Sequence, residues 1–160
     1  MARILAVDYG ERRIGLALSD PLQMIASPLP TLKRKRGKRP PIQAIIDIAQ
    51  TNDVASLVVG LPLTLDGSDS DWTREVRTFG ETLSRRSGLP VAFVDERMTS
   101  VAAERAVRSL GLPKKERERK DRIDAAAAVL ILQAHLGALQ RETQQTSDAT
   151  IDDNGDDEIS

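Results

Sequence analysis

Arg3-Ile4-Leu5-Ala6-Val7-Asp8-Tyr9-Gly10-Glu11-Arg12-Arg13-Ile14-Gly15-Leu16-Ala17-Leu18-Ser19 decides the fold. Arg3 to Asp8 is apolar except at its ends, and Ile14 to Ser19 alternates apolar with small residues. Gly10 to Arg13 is a short turn between them, so the pair predicts an antiparallel hairpin. Asp20-Pro21 turns the chain again, and Met24 to Pro30 can add a short third strand.

Beyond that point the period changes. Ile42, Ile45, Ile46 and Ala49 follow Pro40-Pro41 at i, i+3, i+4 and i+7, a helix face. Ala55 to Gly60 is a short apolar run with β-branched residues, a buried strand. Leu61 to Ser70 is a loop. Trp72, Val76, Phe79 and Leu83 then mark a second amphipathic helix that ends near Gly88. Val91 to Asp95 is another buried strand. Thr99-Ser100 can cap a third helix over 101–110, stopped by Gly111 and Pro113. Lys114 to Arg122 is a charged connector. Ile123 to Leu139 is apolar on much of its circumference, and Ala125 to Ala128 suit it to close packing on a sheet. Strand–helix–strand stretches require parallel pairing with right-handed crossovers. The expected class is therefore α/β, a mixed sheet with helices on its faces.

The chain has 160 residues, a length that fits one domain. It lacks cysteine, which excludes disulfides, thiolate metal sites and a cysteine nucleophile. His135 is the single histidine, so no site needing several imidazoles can form. Mid-helix, it reads as a packing or surface residue, and Trp72 reads as an anchor of its helix to the core. No membrane span and no signal peptide are legible, so the expected location is the cytoplasm. Residues 146–160 carry six acids and no Lys or Arg, which leaves 23 basic against 18 acidic residues in 1–145, a net of +5. The expected division is a folded domain over 1–140 and an acidic, disordered tail over 141–160, with too little apolar surface to offset ordering entropy.

Four carboxylates sit where an α/β sheet gathers ligands, outside the carboxyl ends of its strands. Asp8 ends the first strand, Asp95 and Glu96 end the last, and Asp124 opens the last helix. Clustered carboxylates repel, and in a half-buried site would protonate unless a cation joined them. Hard oxygen donors with neither thiolate nor imidazole suit Mg²⁺ or Mn²⁺. Such an ion can activate water and stabilise a leaving oxygen in phosphodiester hydrolysis. Alternation puts Asp95 and Glu96 on opposite sides of their strand, and Glu96 is preferred as the ligand because its longer side chain reaches past a strand end. Each acid also has a plainer explanation: a turn former for Asp8, a local ion pair at 95–97, a helix first-turn acid for Asp124.

Arg13 beside Asp8 and Arg97 after Glu96 can clamp phosphate, or can simply balance charge. Six of the seven residues 33–39 are basic, and Lys114, Lys115, Arg117, Arg119 and Lys120 form a second group. Both groups can track a nucleic-acid backbone, and both can be solvated loops. Aromatics are 2% of the chain, so recognition by base stacking is not expected. Gly60 to Ser68 can line the site with N–H groups and hydroxyls, or can merely connect a strand to a helix.

Asp8-Tyr9-Gly10-Glu11-Arg12-Arg13-Ile14-Gly15-Leu16-Ala17 resembles the opening motif of the YqgF-type pre-16S rRNA nucleases, a family related to Holliday junction resolvases. The resemblance continues through Val59-Gly60-Leu61-Pro62-Leu63, Asp66-Gly67-Ser68, Asp95-Glu96-Arg97-Met98-Thr99-Ser100, and Lys120 to Asp124 with Ala125-Ala126. It covers about residues 3–136. It implies a ribonuclease H-like fold, a five-stranded mixed sheet flanked by helices. It also implies a divalent-metal nuclease in maturation of the 16S rRNA 5′ end, with ribosomal particles as possible partners. Asp8, Glu96 and Asp124 match the acidic metal ligands, and Arg13, Arg97 and Lys120 match basic positions suited to phosphate. The 33–39 block and the acidic tail fall outside the motif.

Three other functions use the same residues. A resolvase would cut branched DNA, and needs two active sites, hence a homodimer rather than a monomer. A nucleic-acid-binding module would keep the acids for structure alone. A sugar kinase or actin-like ATPase opens with a similar hairpin but needs a second lobe that this length does not provide.

Overall fold

The computed structural model describes residues 2–35, 37–99 and 117–152, with side chains outside the description over 117–125 and 150–152. The strands are β1 (Arg3–Tyr9), β2 (Arg13–Ser19), β3 (Ala26–Lys33), β4 (Val54–Leu61) and β5 (Val91–Asp95). The helices are α1 (Ile42–Thr51), α2 (Asp71–Ser87) and α3 (Arg117–Asp152), with a 3₁₀ turn at Glu96–Met98. One sheet holds all five strands in the order β3-β2-β1-β4-β5. β1, β2 and β3 pair antiparallel, whereas β4 lies parallel to β1 and β5 parallel to β4. This is the five-stranded mixed sheet that the resemblance implies.

Alternation along β1 assigns the two faces. Leu5, Val7 and Tyr9 join α1 and α2 in one core, through Ile45, Ala49, Val76, Phe79 and Leu83. Ile4 and Ala6 join Ala17, Val58 and α3 in the other, through Ala127, Ala128, Ile131 and Leu132. Both faces are covered, so the central strands are apolar on both sides, as parallel sheets require. A fully buried Leu or Ile contributes roughly 1.5–3 kcal/mol.

Local signals fix the element ends. The Ser70 hydroxyl accepts from the Thr73 N–H, and the Thr73 hydroxyl accepts from the Ser70 N–H, a reciprocal cap on α2. Gly88 closes that helix at φ 73°, a backbone conformation that suits glycine.

Several boundaries differ from the sequence reading. β3 extends to Lys33, because its strand pairs with β2 as far as Arg13. Lys33 therefore belongs to a strand and not to the loop expected over 33–39. Arg117 to Arg122, expected as connector, lies within α3. The tail expected from residue 141 has helical backbone as far as Asp152. Burial nevertheless stops near the expected boundary: Leu136 is buried, and every residue from Gln140 to Ala149 is exposed. Thr143, Thr146 and Ser147 each donate a hydroxyl to the carbonyl four residues back, so this hydroxyl-rich stretch of helix relies on local bonds. The helix expected over 101–110 lies outside the described residues. No helix among the described residues is long and apolar enough to cross a membrane.

Candidate functional site

The carboxyl ends of β1, β4 and β5 meet at one pole of the sheet. On the α3 side, β1 presents Ala6 then Asp8, β4 presents Val58 then Gly60, and β5 presents Val94 before the chain reaches Glu96. β4 lies between the other two. Continuing the Ala6–Val58 and Val7–Val59 register brings Asp8 alongside Gly60. Glu96 begins the 3₁₀ turn, and its Oε1 lies 2.8 Å from where a Cβ on Gly60 would stand. The Glu96 carboxylate thus occupies space that β4 leaves empty. Asp8 and Glu96 are 3% and 4% exposed, an unusual burial for acids. Gly60 therefore separates the two carboxylates with no side chain of its own.

Asp124 lies in α3, three and four residues before Ala127 and Ala128, the first described members of the stripe that packs on this sheet face. Helical period puts position 124 on that same stripe. Its side chain is outside the described residues, as is that of Lys120. Among the described residues no three His, Cys, Asp or Glu come together. Asp8 and Glu96 supply buried, hard oxygen donors, which fit Mg²⁺ or Mn²⁺ and suit no soft metal.

Asp95 faces the other way. Its carboxylate accepts from Arg97 Nε at 3.1 Å and from Nη2 at 2.7 Å, and also from the Arg97 backbone N–H at 2.9 Å. The Arg97 hydrogen bonds hold Asp95 below its ordinary pKa, so it stays ionised. Arg97 Nη1 reaches the Leu65 carbonyl at 3.3 Å. The guanidinium lies over Gly67, which at φ +86° favours glycine. Arg97, expected at phosphate, is here tied to Asp95 and to the β4–α2 loop. Arg13 opens β2 opposite Lys33, and its carbonyl accepts from the Gly10 N–H at 3.0 Å, which closes the turn after Asp8.

The polar groups of the β4–α2 loop bond to one another. Asp66 accepts from the Thr64 hydroxyl, and from the Ser68 N–H at 3.1 Å and hydroxyl at 2.7 Å. These bonds lower its pKa to about 2. Its hydroxyls therefore build the loop first. A groove of about 680 Å³ lies between the β2–β3 turn and α3, lined by Leu22, Met24, Leu136 and Leu139 among others. That turn sits beside the start of β1, where the Ile4 N–H donates to Ser19 Oγ and Gln23 Nε2 to the Ala2 carbonyl. The groove is thus at the opposite pole from Asp8, and its lining mixes apolar side chains with amides, hydroxyls and one carboxylate, Asp148. His135 is half-buried, and burial lowers its pKa. Trp72 stacks on Tyr9 at 5.4 Å between centroids.

Two features escaped the sequence reading. Gly60 closes a buried run and looked like the first residue of a loop, when its missing side chain makes room for Glu96. Tyr9 stacks on Phe79 at 4.1 Å and carries the Arg34 guanidinium carbon 4.8 Å from its ring centroid. The signal for Gly60 was a glycine inside the run Leu57 to Leu61, which is otherwise apolar. Nothing local announced the contact between positions 9 and 34.

A family model described as "RuvX: Holliday junction resolvase" matches residues 2–138. A Koribacter versatilis protein named "Putative pre-16S rRNA nuclease" is 47% identical over 134 residues, covering 84% of this chain and 86% of its own. A Maridesulfovibrio salexigens protein of the same name is 40% identical over 134 residues, covering 84% and 97%. Among solved structures, Thermus thermophilus RuvC in complex with a Holliday junction substrate superposes with a TM-score of 0.53 at 13% identity, over 88% of this chain and 96% of that one. That likeness concerns the fold, which is ribonuclease H-like. The chain belongs to the RuvX family of nucleases.

Proposed function

We propose that this protein is a divalent-metal-dependent endonuclease that hydrolyses phosphodiester bonds of precursor 16S rRNA at its 5′ end, in the cytoplasm. The observation that carries the reading is the pair of buried carboxylates, Asp8 and Glu96, flanking Gly60 at the carboxyl pole of the sheet. Asp124, one turn before Ala127 and Ala128, is the third candidate ligand. Mg²⁺ or Mn²⁺ bound there would lower the pKa of water and neutralise charge on the phosphate. Asp8 and Glu96 would hold the ion, and a strand end and packing, not a flexible loop, carry their carboxylates. The covering face of α3, with Ile131 against Gly60, keeps bulk water from that side. Arg13, Arg97 and Lys120 are the candidate phosphate contacts, and Asp95 orients Arg97.

The rRNA substrate follows the names of relatives 40–47% identical to this chain. The family description favours a second reading, cleavage of a four-way DNA junction. The test offers precursor rRNA and a four-way junction to the purified protein, with Mg²⁺ and with chelator. Metal-dependent cleavage of the rRNA alone supports the first reading, and of the junction alone the second. Cleavage of neither, with binding retained, would mean a non-catalytic module.

A further inference from the structure

On the α2 side, Arg77 and Arg97 are each paired with a carboxylate within the protein. Arg77 pairs with Asp69 through Nε at 2.7 Å, and Arg97 pairs with Asp95 through Nη2 at 2.7 Å. The cations around the β1–β2 turn and the end of β3 are treated differently. Among the described residues no carboxylate pairs with Arg12, Lys33, Arg34 or Lys35.

The backbone that carries these cations, and the Arg34 side chain, are held in place without the charges being cancelled. Lys33 ends β3 in register with Arg13. The Arg34 N–H donates to the Arg12 carbonyl at 2.7 Å, which extends the strand pairing by one bond. Arg34 Nη1 donates to the Gly10 carbonyl at 3.4 Å, and the guanidinium lies over the Tyr9 ring. Tyr9 directly follows Asp8 in β1. Stacking on a neutral ring fixes a guanidinium and leaves its charge intact. Arg34 Nε finds no acceptor among the described residues. Lys33 and Lys35, on either side, are exposed. Like charges crowded at one pole repel, and a polyanion relieves that cost.

We infer that Arg12, Lys33, Arg34 and Lys35 form a fixed cationic rim that binds backbone phosphates of the nucleic acid beyond the scissile bond, on the β3 side of the site. The inference rests on the nucleic-acid reading above. It does not depend on which strand chemistry is cut, because the contacts are to phosphate.

The test measures salt-dependent binding of a fluorescent RNA duplex to the full-length chain carrying Asp8→Asn, with Mg²⁺ present. Lys33→Gln/Arg34→Gln/Lys35→Gln is compared with that parent and with Arg85→Gln/Arg141→Gln, which removes exposed cations from the other end of the sheet. Each lost phosphate contact lowers the slope of log Kobs against log salt by about 0.9. The triple variant should lose about 2.7 of slope, so that between about 50 and 200 mM salt the parent loses roughly 40-fold more affinity than the variant. The control pair should keep the parent slope. Should the triple variant fail to fold, Lys33→Gln/Lys35→Gln is predicted to lose about 1.8. An unchanged slope in either rim variant, or an equal fall in the control, overturns the inference. A rim built for an acidic protein would also leave the RNA slope unchanged. Cleavage by the Asp8→Asn parent against the native chain reports on the nuclease reading separately.

Discussion

Glu96 and Gly60 share one space: the Glu96 Oε1 atom stands 2.8 Å from where a Gly60 Cβ would be. On the other side the same Cβ would meet Ile131 Cδ1 at 2.5 Å. Gly60→Ala should therefore do two separable things. Overpacking against Ile131 should cost about 1–3 kcal/mol in a urea melt. Displacing the carboxylate by even about 1 Å should lower cleavage on the order of 100-fold. Adding Ile131→Val relieves the first contact and not the second, so the double variant should recover stability more than activity. Full activity in Gly60→Ala would mean that the Glu96 position is not critical.

Asp95 and Glu96 are neighbours with opposite surroundings, so their amides should differ. Glu96→Gln is expected to lower kcat at least about 100-fold, since one candidate metal ligand is lost. Asp95→Asn breaks a partly exposed pair and should cost less than about 1 kcal/mol. It frees Arg97, so the larger kinetic change should be in KM. Steady-state cleavage and thermal melts on both variants check this. A larger kcat loss in Asp95→Asn would exchange their roles.

How much of this was readable beforehand differs by residue. The apolar periods of Ile42 to Ala49 and Trp72 to Leu83 gave α1 and α2, because a period of 3.6 is local. Alternation separated Asp95 from Glu96 for the same reason. What was not readable depends on contacts between distant segments. Lys33 became strand because Arg13 pairs with it, and Arg34 became fixed because Tyr9 lies beneath it. Gly60 looked like loop chemistry, since one glycine does not say which side chain fills its vacancy. The helical backbone beyond residue 140 ran against the composition, which reports burial and not local bonding.

Stability should respond to acid through Asp66. Its folded pKa, about 2, lies below the model-compound value of 3.8 because Thr64 and Ser68 donate to the carboxylate. A depressed carboxylate stabilises the fold fully above the unfolded value, and that contribution is lost as pH falls through the folded one. The melting-temperature gap between the native chain and Asp66→Asn should thus be constant above about pH 5 and narrow between about pH 4 and 2. A gap that does not vary with pH would assign Asp66 no ionic role.

Truncation after Gln145 removes six acids. The described side chains that it removes, up to Ala149, are exposed and lie at the end of α3 away from Asp8. Nucleic-acid affinity should rise at low salt, because an acidic competitor is gone. The gain should fade near about 0.1 M salt, where the Debye length is about 10 Å. Affinity that falls or stays level at every salt concentration would contradict this.

The most direct measurement is a crystal structure grown with Mn²⁺ and examined by anomalous scattering. The account predicts an anomalous peak bounded by carboxylate oxygens of Asp8, Glu96 and Asp124. Loss of that peak should follow Asp8→Asn in a chain that still melts as the native one does. A Mn²⁺ peak elsewhere, or an Asp124 carboxylate turned away from the other two while cleavage persists, would contradict it.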